Sequence, residues 1–152
     1  MVELGQEAHN FELPSHTGDI VSLSDYKGSK NVVLSFHIFS FTGGWTHQVS
    51  SFRIANDQFE EADTQVLGIS TDARATQTAF AASLGNIPYP VLSDFHPKGH
   101  VSTTYGVYNE DRGTSDRAIV IIDKKGIIRF RKIYTTATDL NTADILAQIK
   151  KL

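Results

Sequence analysis

The 152 residues carry 14 Lys plus Arg against 17 Asp plus Glu, a formal charge of −3, with 40% hydrophobic and 20% charged residues. That length suits one domain spanning 1–152 and allows roughly 68–70% of the unfolded chain's surface to be buried. No basic cluster is present to neutralise phosphates, which argues against nucleic acid as a partner, and no apolar run approaches a membrane span. The acidic start, Met1-Val-Glu-Leu-Gly-Gln-Glu7, has neither the basic flank nor the apolar stretch of a secretory leader, so a cytoplasmic protein is expected. Cysteine is absent. A disulfide framework, a thiolate zinc site and a cysteine nucleophile are excluded together.

In chain order, Asn31–Phe36 is apolar and β-branched after the turn-like Lys27-Gly-Ser-Lys30, and it predicts a buried central strand. From Thr46 to about Ala62, Val49, Phe52, Ala55 and Phe59 recur at steps of three and four, the pattern of an amphipathic helix. Val66–Ser70 is the next buried strand. Arg74–Leu84 follows as a helix closed by Gly85, completing a βαβ unit. Pro88 and Pro90 mark a loop before a short strand at Val91-Leu92.

Arg117–Asp123 and Gly126–Ile133, separated by Lys124-Lys125, predict an antiparallel hairpin, its first strand central and its second nearer an edge. Asp139–Leu152 predicts a closing helix with Leu140, Ile145, Leu146, Ile149 and Leu152 on its inner face. The order gives an α/β fold with a mixed central sheet and helices on both faces.

Phe11-Glu-Leu-Pro14, Val21-Ser-Leu-Ser-Asp-Tyr-Lys-Gly28, Val66–Ser70, Leu92-Ser-Asp-Phe95, Tyr105-Gly-Val107 and Ile121-Ile-Asp123 resemble words of the peroxiredoxin family. That family is also called alkyl hydroperoxide reductase or thiol-specific antioxidant, and the text is most like its one-cysteine alkyl hydroperoxide reductase E type. The resemblance covers nearly the whole chain. It implies a thioredoxin-like fold, an oxidoreductase acting as a thiol peroxidase, a hydroperoxide substrate, a thiol reductant, no cofactor or metal, and a homodimer. Phe39, Phe41 and Phe95 are candidates for the dimer contact.

The family's motif runs Pro, three residues, Thr, two residues, Cys, and the matching stretch is Ile38-Phe-Ser-Phe-Thr42-Gly-Gly-Trp45. Thr42 matches the threonine, Ile38 stands at the proline and Trp45 at the peroxidatic cysteine. Arg117, in Ser115-Asp-Arg-Ala118, matches the supporting arginine, and His9 stands where the N-terminal word usually has proline. The resemblance gives each residue a role. Thr42 would hold the peroxide, Arg117 would supply fixed donors, and the Gly43-Gly44 backbone could approach the substrate. A helix start and a guanidinium favour a thiolate and the oxygen that gains charge as the peroxide bond breaks.

Indole has one N–H donor, no acceptor and no ionisable group near neutral pH, so Trp45 cannot attack an O–O bond. Loss of thiol peroxidase activity is the expected consequence. The substitution is a single base from a cysteine or selenocysteine codon, which fits a lineage with a replaced nucleophile. The alternative is a non-catalytic binding module with Trp45 as its anchor. A different enzyme on the same fold ranks below both, because no other nucleophile and base come together.

His96 and His100 stand four apart, but Pro97 and Gly99 between them predict a loop rather than a metal-binding helix face. His37 at a strand end and His47 in a first helical turn read as packed or solvated residues. Asn10, Asp25 and Asp72 read as turn and cap residues.

Overall fold

The computed structural model describes residues 2–152, and at Trp45 the backbone alone. A five-stranded sheet organises it. In chain order the elements are β1 (Glu12–Pro14), β2 (Ile20–Ser22), β3 (Asn31–Phe36), α1 (Gly43–Glu61), β4 (Thr64–Ser70), α2 (Arg74–Ser83) and β5 (Val91–Ser93). There follow α3 (His100–Thr104), β6 (Tyr108–Asn109), β7 (Thr114–Ser115), β8 (Arg117–Ile122), β9 (Ile128–Tyr134) and α4 (Thr142–Ile149). The main sheet runs β5-β4-β3-β8-β9, with β3, β4 and β5 parallel and β8 and β9 antiparallel to their neighbours. This is the mixed thioredoxin-like arrangement that the sequence predicts.

β3 and β8 are buried at every residue because both faces of the sheet are covered, which is why each reads as an unbroken apolar run. On one face Val33, Val66, Val91, Ile119 and Ile121 pack against Phe52 and Phe59 of α1, Phe80 of α2 and Ile145 and Ile149 of α4. On the other, Leu34, Phe36, Leu67, Leu92 and Val120 meet Phe11 and Leu13 of the N-terminal hairpin, Val101 of α3 and Tyr105. Among the described residues no helix is long and apolar enough to cross a membrane.

Local signals explain several boundaries. Gly85 takes φ +81° just past α2, a left-handed stop that glycine adopts without a Cβ clash. At the β8–β9 turn the Asp123 carboxylate accepts from the amides of Lys125 and Ile127. Asn10 accepts from Ser22 and Ser24, and Asp25 accepts from the Ser22 amide, so both are the cap and turn residues expected.

Other boundaries move. α1 begins at Gly43, three residues before the predicted Thr46. The second strand of the hairpin begins at Ile128 rather than Gly126, and a register shift at Ile121/Ile122 interrupts its alternation. The predicted closing helix from Asp139 to Leu152 is instead a 3₁₀ turn, Ala137–Asp139, followed by α4. The Asn141 side chain accepts from the Ala143 amide and so starts α4 anew, with Leu140 before the cap and Ile145 in the first turns both packed in one core. Leu152 lies past the end of α4 and is 49% exposed, not on an inner face.

The orientation of α1 is directly testable. Phe52 is 0% and Ile54 80% exposed. Phe52→Ala should cost about 3–5 kcal/mol in denaturant unfolding, whereas Ile54→Ala should change stability by no more than about 0.5 kcal/mol.

Candidate active site

β3 ends at Phe36, paired with Ala118, so the segment 37–42 leaves the sheet beside the first residue of β8, Arg117. That segment is held from two sides. The Ser115 hydroxyl donates to the His37 carbonyl at 2.7 Å and the Thr114 hydroxyl to that of Ile38. Opposite, Asp72 Oδ2 accepts from the Ser40 amide at 2.8 Å, the Ser40 hydroxyl at 2.9 Å and the Ser70 hydroxyl at 2.7 Å. Buried Gln77 completes the tie, its Oε1 sharing the single Ser40 hydroxyl proton with Asp72 and its Nε2 donating to Ser70 and the Leu92 carbonyl. The chain can then turn through Phe41 at φ +65°, uncommon for a residue with a Cβ, into α1.

Thr42 is the residue that precedes α1, as its motif position implies, but its side chain does not cap the helix. The hydroxyl donates to the Phe39 carbonyl at 2.7 Å, and the Thr42 carbonyl accepts from the Thr46 amide. No acidic residue stands in the first turn of α1. The amides of Gly43 and Gly44 have no partner among the described residues.

Arg117 is only 8% exposed, forms no ion pair among the described residues, and its Nε has no hydrogen-bond partner. Its guanidinium lies on the first turn of α1: a Cβ placed on Gly44 would sit 2.7 Å from Arg117 Nη2. The absence of a side chain at 44 is what admits the guanidinium to the helix start. Burial lowers the Arg117 pKa from its ordinary value, and Arg112 adds to the effect, because another positive charge disfavours this one.

The structure thus brings the Arg117 guanidinium against the backbone at Gly44, in the first turn of the helix that Thr42 precedes. The expectation for the Trp45 indole lies outside the described residues. His37 is fully buried at the end of β3; burial, reinforced by Arg117, holds its pKa well below 6.5, so the imidazole is neutral. His47 is exposed in the first turns of α1. Phe41 and Phe95 are exposed and Phe39 half-buried.

His96 is in a loop, but His100 begins α3 rather than belonging to that loop. Both line a cavity of about 350 Å³ beside Asp94. The Asp94 carboxylate is occupied by the amides of Val101 and Ser102 and the Ser102 hydroxyl. Among the described residues no group of three or more His, Asp or Glu could hold a metal ion. Sequence reasoning missed the tie through Ser40 and Gln77 and read Asp72 only as a turn and cap residue. The spacing of isolated polar residues carries no signal for a contact across 32 and 37 positions.

Comparison with known proteins agrees with this fold. A family model described as the AhpC/TSA family matches residues 4–131. Alkyl hydroperoxide reductase E of Mycobacterium tuberculosis is 37% identical over 133 residues, covering 88% of this chain and 86% of that protein. The chloroplastic 2-Cys peroxiredoxin BAS1 of Hordeum vulgare is 30% identical over 138 residues, 87% of this chain and 65% of its own. The crystal structure of peroxidoxin BcpB from M. tuberculosis matches with a TM-score of 0.88 at 28% identity, covering 100% of this chain and 99% of that one. Reduced 2-Cys peroxiredoxin of Plasmodium vivax gives 0.85 at 28%, covering 97% and 94%.

The neutral His37 makes stability depend on pH. Unfolded, the imidazole takes a proton near 6.5, whereas folded it does not; half-buried His16, its pKa also lowered by burial, acts in the same direction. Unfolding free energy should therefore be fully present above 6.5 and fall as pH drops below it, at up to about 1.4 kcal/mol per pH unit for each histidine. In denaturant titrations between about pH 8 and 5, His37→Phe should flatten this slope. An unchanged slope would contradict the assignment.

Proposed function

The chain belongs to the AhpC/TSA family of peroxiredoxins, and we propose that the start of α1 is that family's peroxide-reducing site with its nucleophile replaced. Hydrogen peroxide and alkyl hydroperoxides are then the substrates of the lineage. This chain, with Trp45 in the nucleophile's place and no cysteine, does not reduce them at the expense of a thiol. The observation that carries the reading is the Arg117 guanidinium against the Gly44 backbone, at the one helix start where the motif threonine also stands.

In the chemistry that this cradle suits, a thiolate attacks one peroxide oxygen and the O–O bond breaks. The departing hydroxide or alkoxide takes a proton and leaves as water or alcohol, and the sulfur becomes a sulfenic acid. Two thiol groups of a reductant then restore the thiol, ending as a disulfide and releasing one water. The helix amides and Arg117 favour the thiolate before attack and the departing oxygen during it. Thr42, at the entrance, orients the peroxide. Tryptophan supplies no electron pair for the first step.

Trp45→Cys should convert the chain into a peroxidase. With hydrogen peroxide or cumene hydroperoxide and dithiothreitol as reductant, the variant should consume peroxide and form a sulfenic acid detectable by mass, whereas the parent chain should not. Adding Arg117→Gln should lower the variant's rate about 10²-fold. A folded Trp45→Cys chain that never forms sulfenic acid with either peroxide would refute the reading.

A further inference from the structure

The end of the sheet remote from the start of α1 carries a pocket of its own. Val32 and Ile122, paired across β3 and β8, form its floor together with Leu23, and all three are buried. Phe36 and Ala118 are paired at the other end of the same two strands, which puts the pocket about 13 Å along the sheet from Arg117 and its surroundings. Backbone hydrogen bonds fix the walls. The Ala8 amide donates to the Gly126 carbonyl at 2.8 Å, and the Gly28 amide donates to that of Lys124 at 2.7 Å. Walls tied in this way need little ordering when a ligand enters, which favours binding. The volume of about 110 Å³ suits a branched alkyl group of about four carbons, since an apolar cavity of about 150 Å³ takes a benzene ring.

Charge around the mouth is arranged in pairs with one cation left over. Lys27 is bound to Glu7, while Asp123 is bound to Arg129 and accepts from the Lys125 and Ile127 amides. Half-buried Lys30 also lines the pocket and has no carboxylate partner among the described residues. Asn10 spends its Oδ1 on Ser22 and Ser24, which leaves its Nδ2 as a second donor without an acceptor among the described residues. An apolar floor below an uncompensated ammonium complements an alkyl chain that ends in a carboxylate. A neutral hydrocarbon would leave the ammonium unmet, and an amine would be repelled by it.

We propose that this pocket binds a short, branched monocarboxylate. The alkyl group packs on Leu23, Val32 and Ile122, and the carboxylate accepts from Lys30 Nζ in a charge-assisted hydrogen bond. Neither Arg117 nor position 45 takes part, so recognition here does not depend on what happens to a peroxide at the other end of β3.

The test is a titration of the intact chain with sodium isovalerate at constant ionic strength and near-neutral pH, followed by two-dimensional amide NMR. The Ala8 and Gly126 amides should shift saturably, with half-saturation at about 1–10 mM. Isovaleramide keeps the shape without the charge, and acetate keeps the charge without the branched chain; each should bind about fivefold more weakly or worse. Lys30→Gln should weaken isovalerate about fivefold and remove its advantage over isovaleramide. Lys151→Gln, a change to an exposed lysine outside the pocket, should leave the affinity unaltered. Isovalerate shifts that never saturate at Ala8 and Gly126 would overturn the proposal. Acetate binding as tightly as isovalerate would do the same, and so would a Lys30→Gln chain that still prefers isovalerate to isovaleramide.

Discussion

The pairing of β3 with β8 is the constraint on which the site depends. With Phe36 opposite Ala118, the chain leaves β3 at the point where β8 begins, and Arg117 stands beside the loop leading to α1. A one-residue slip of β8 would turn Arg117 to the opposite face and exchange the residues that β8 sends into the two apolar clusters. Burial forbids that slip, since both strands are enclosed along their length and each face has its own apolar cluster. The position of a charged side chain is thus set by apolar packing two layers deep.

Hydrogen bonding does the remaining work, because segment 37–42 has no regular structure of its own. The Thr114 and Ser115 hydroxyls fix carbonyls on one side, and Asp72 fixes the Ser40 amide on the other. Ile38 stands where the resemblance expects proline, whose ring would limit backbone freedom locally. Here the restraint comes from side chains on other elements, which hold Phe41 in its left-handed conformation and direct the first turn of α1 toward Arg117. Such a restraint costs more ordering entropy than proline, and the buried network around Gln77 offsets it through satisfied hydrogen bonds.

Much of the fold was legible because the core is written as periodicity. Asn31–Phe36 and the helix at Arg74 follow the sequence reading within one residue, since unbroken apolar runs and a glycine stop have direct physical meanings. α1 was harder. Gly43 and Gly44 have poor helix propensity, by about 1 kcal/mol each relative to alanine, and the apolar repeat starts only at Val49, so the first turn reads as loop. α4 misled in the opposite direction: Leu140 looked like its first inner residue but packs just before an Asn141 cap. For the site, Thr42 and Arg117 were visible only through the resemblance. The Arg117–Gly44 approach depends on the absence of a side chain, which no periodicity records.

The charge at residue 117 is central to the proposed peroxide site. A helix start and a guanidinium do not distinguish a thiolate from any other anion of similar size; both lower the energy of negative charge at the same point. Catalysis requires, in addition, that the charge belong to a nucleophile fixed to the chain. Replacing that nucleophile by an indole removes the bond-making electron pair but not the unmet positive potential, because that potential arises from the Arg117 side chain and the backbone amides rather than from residue 45. Under the proposed reading, the substitution removes the peroxide-cleaving step and leaves the Arg117 guanidinium buried against Gly44.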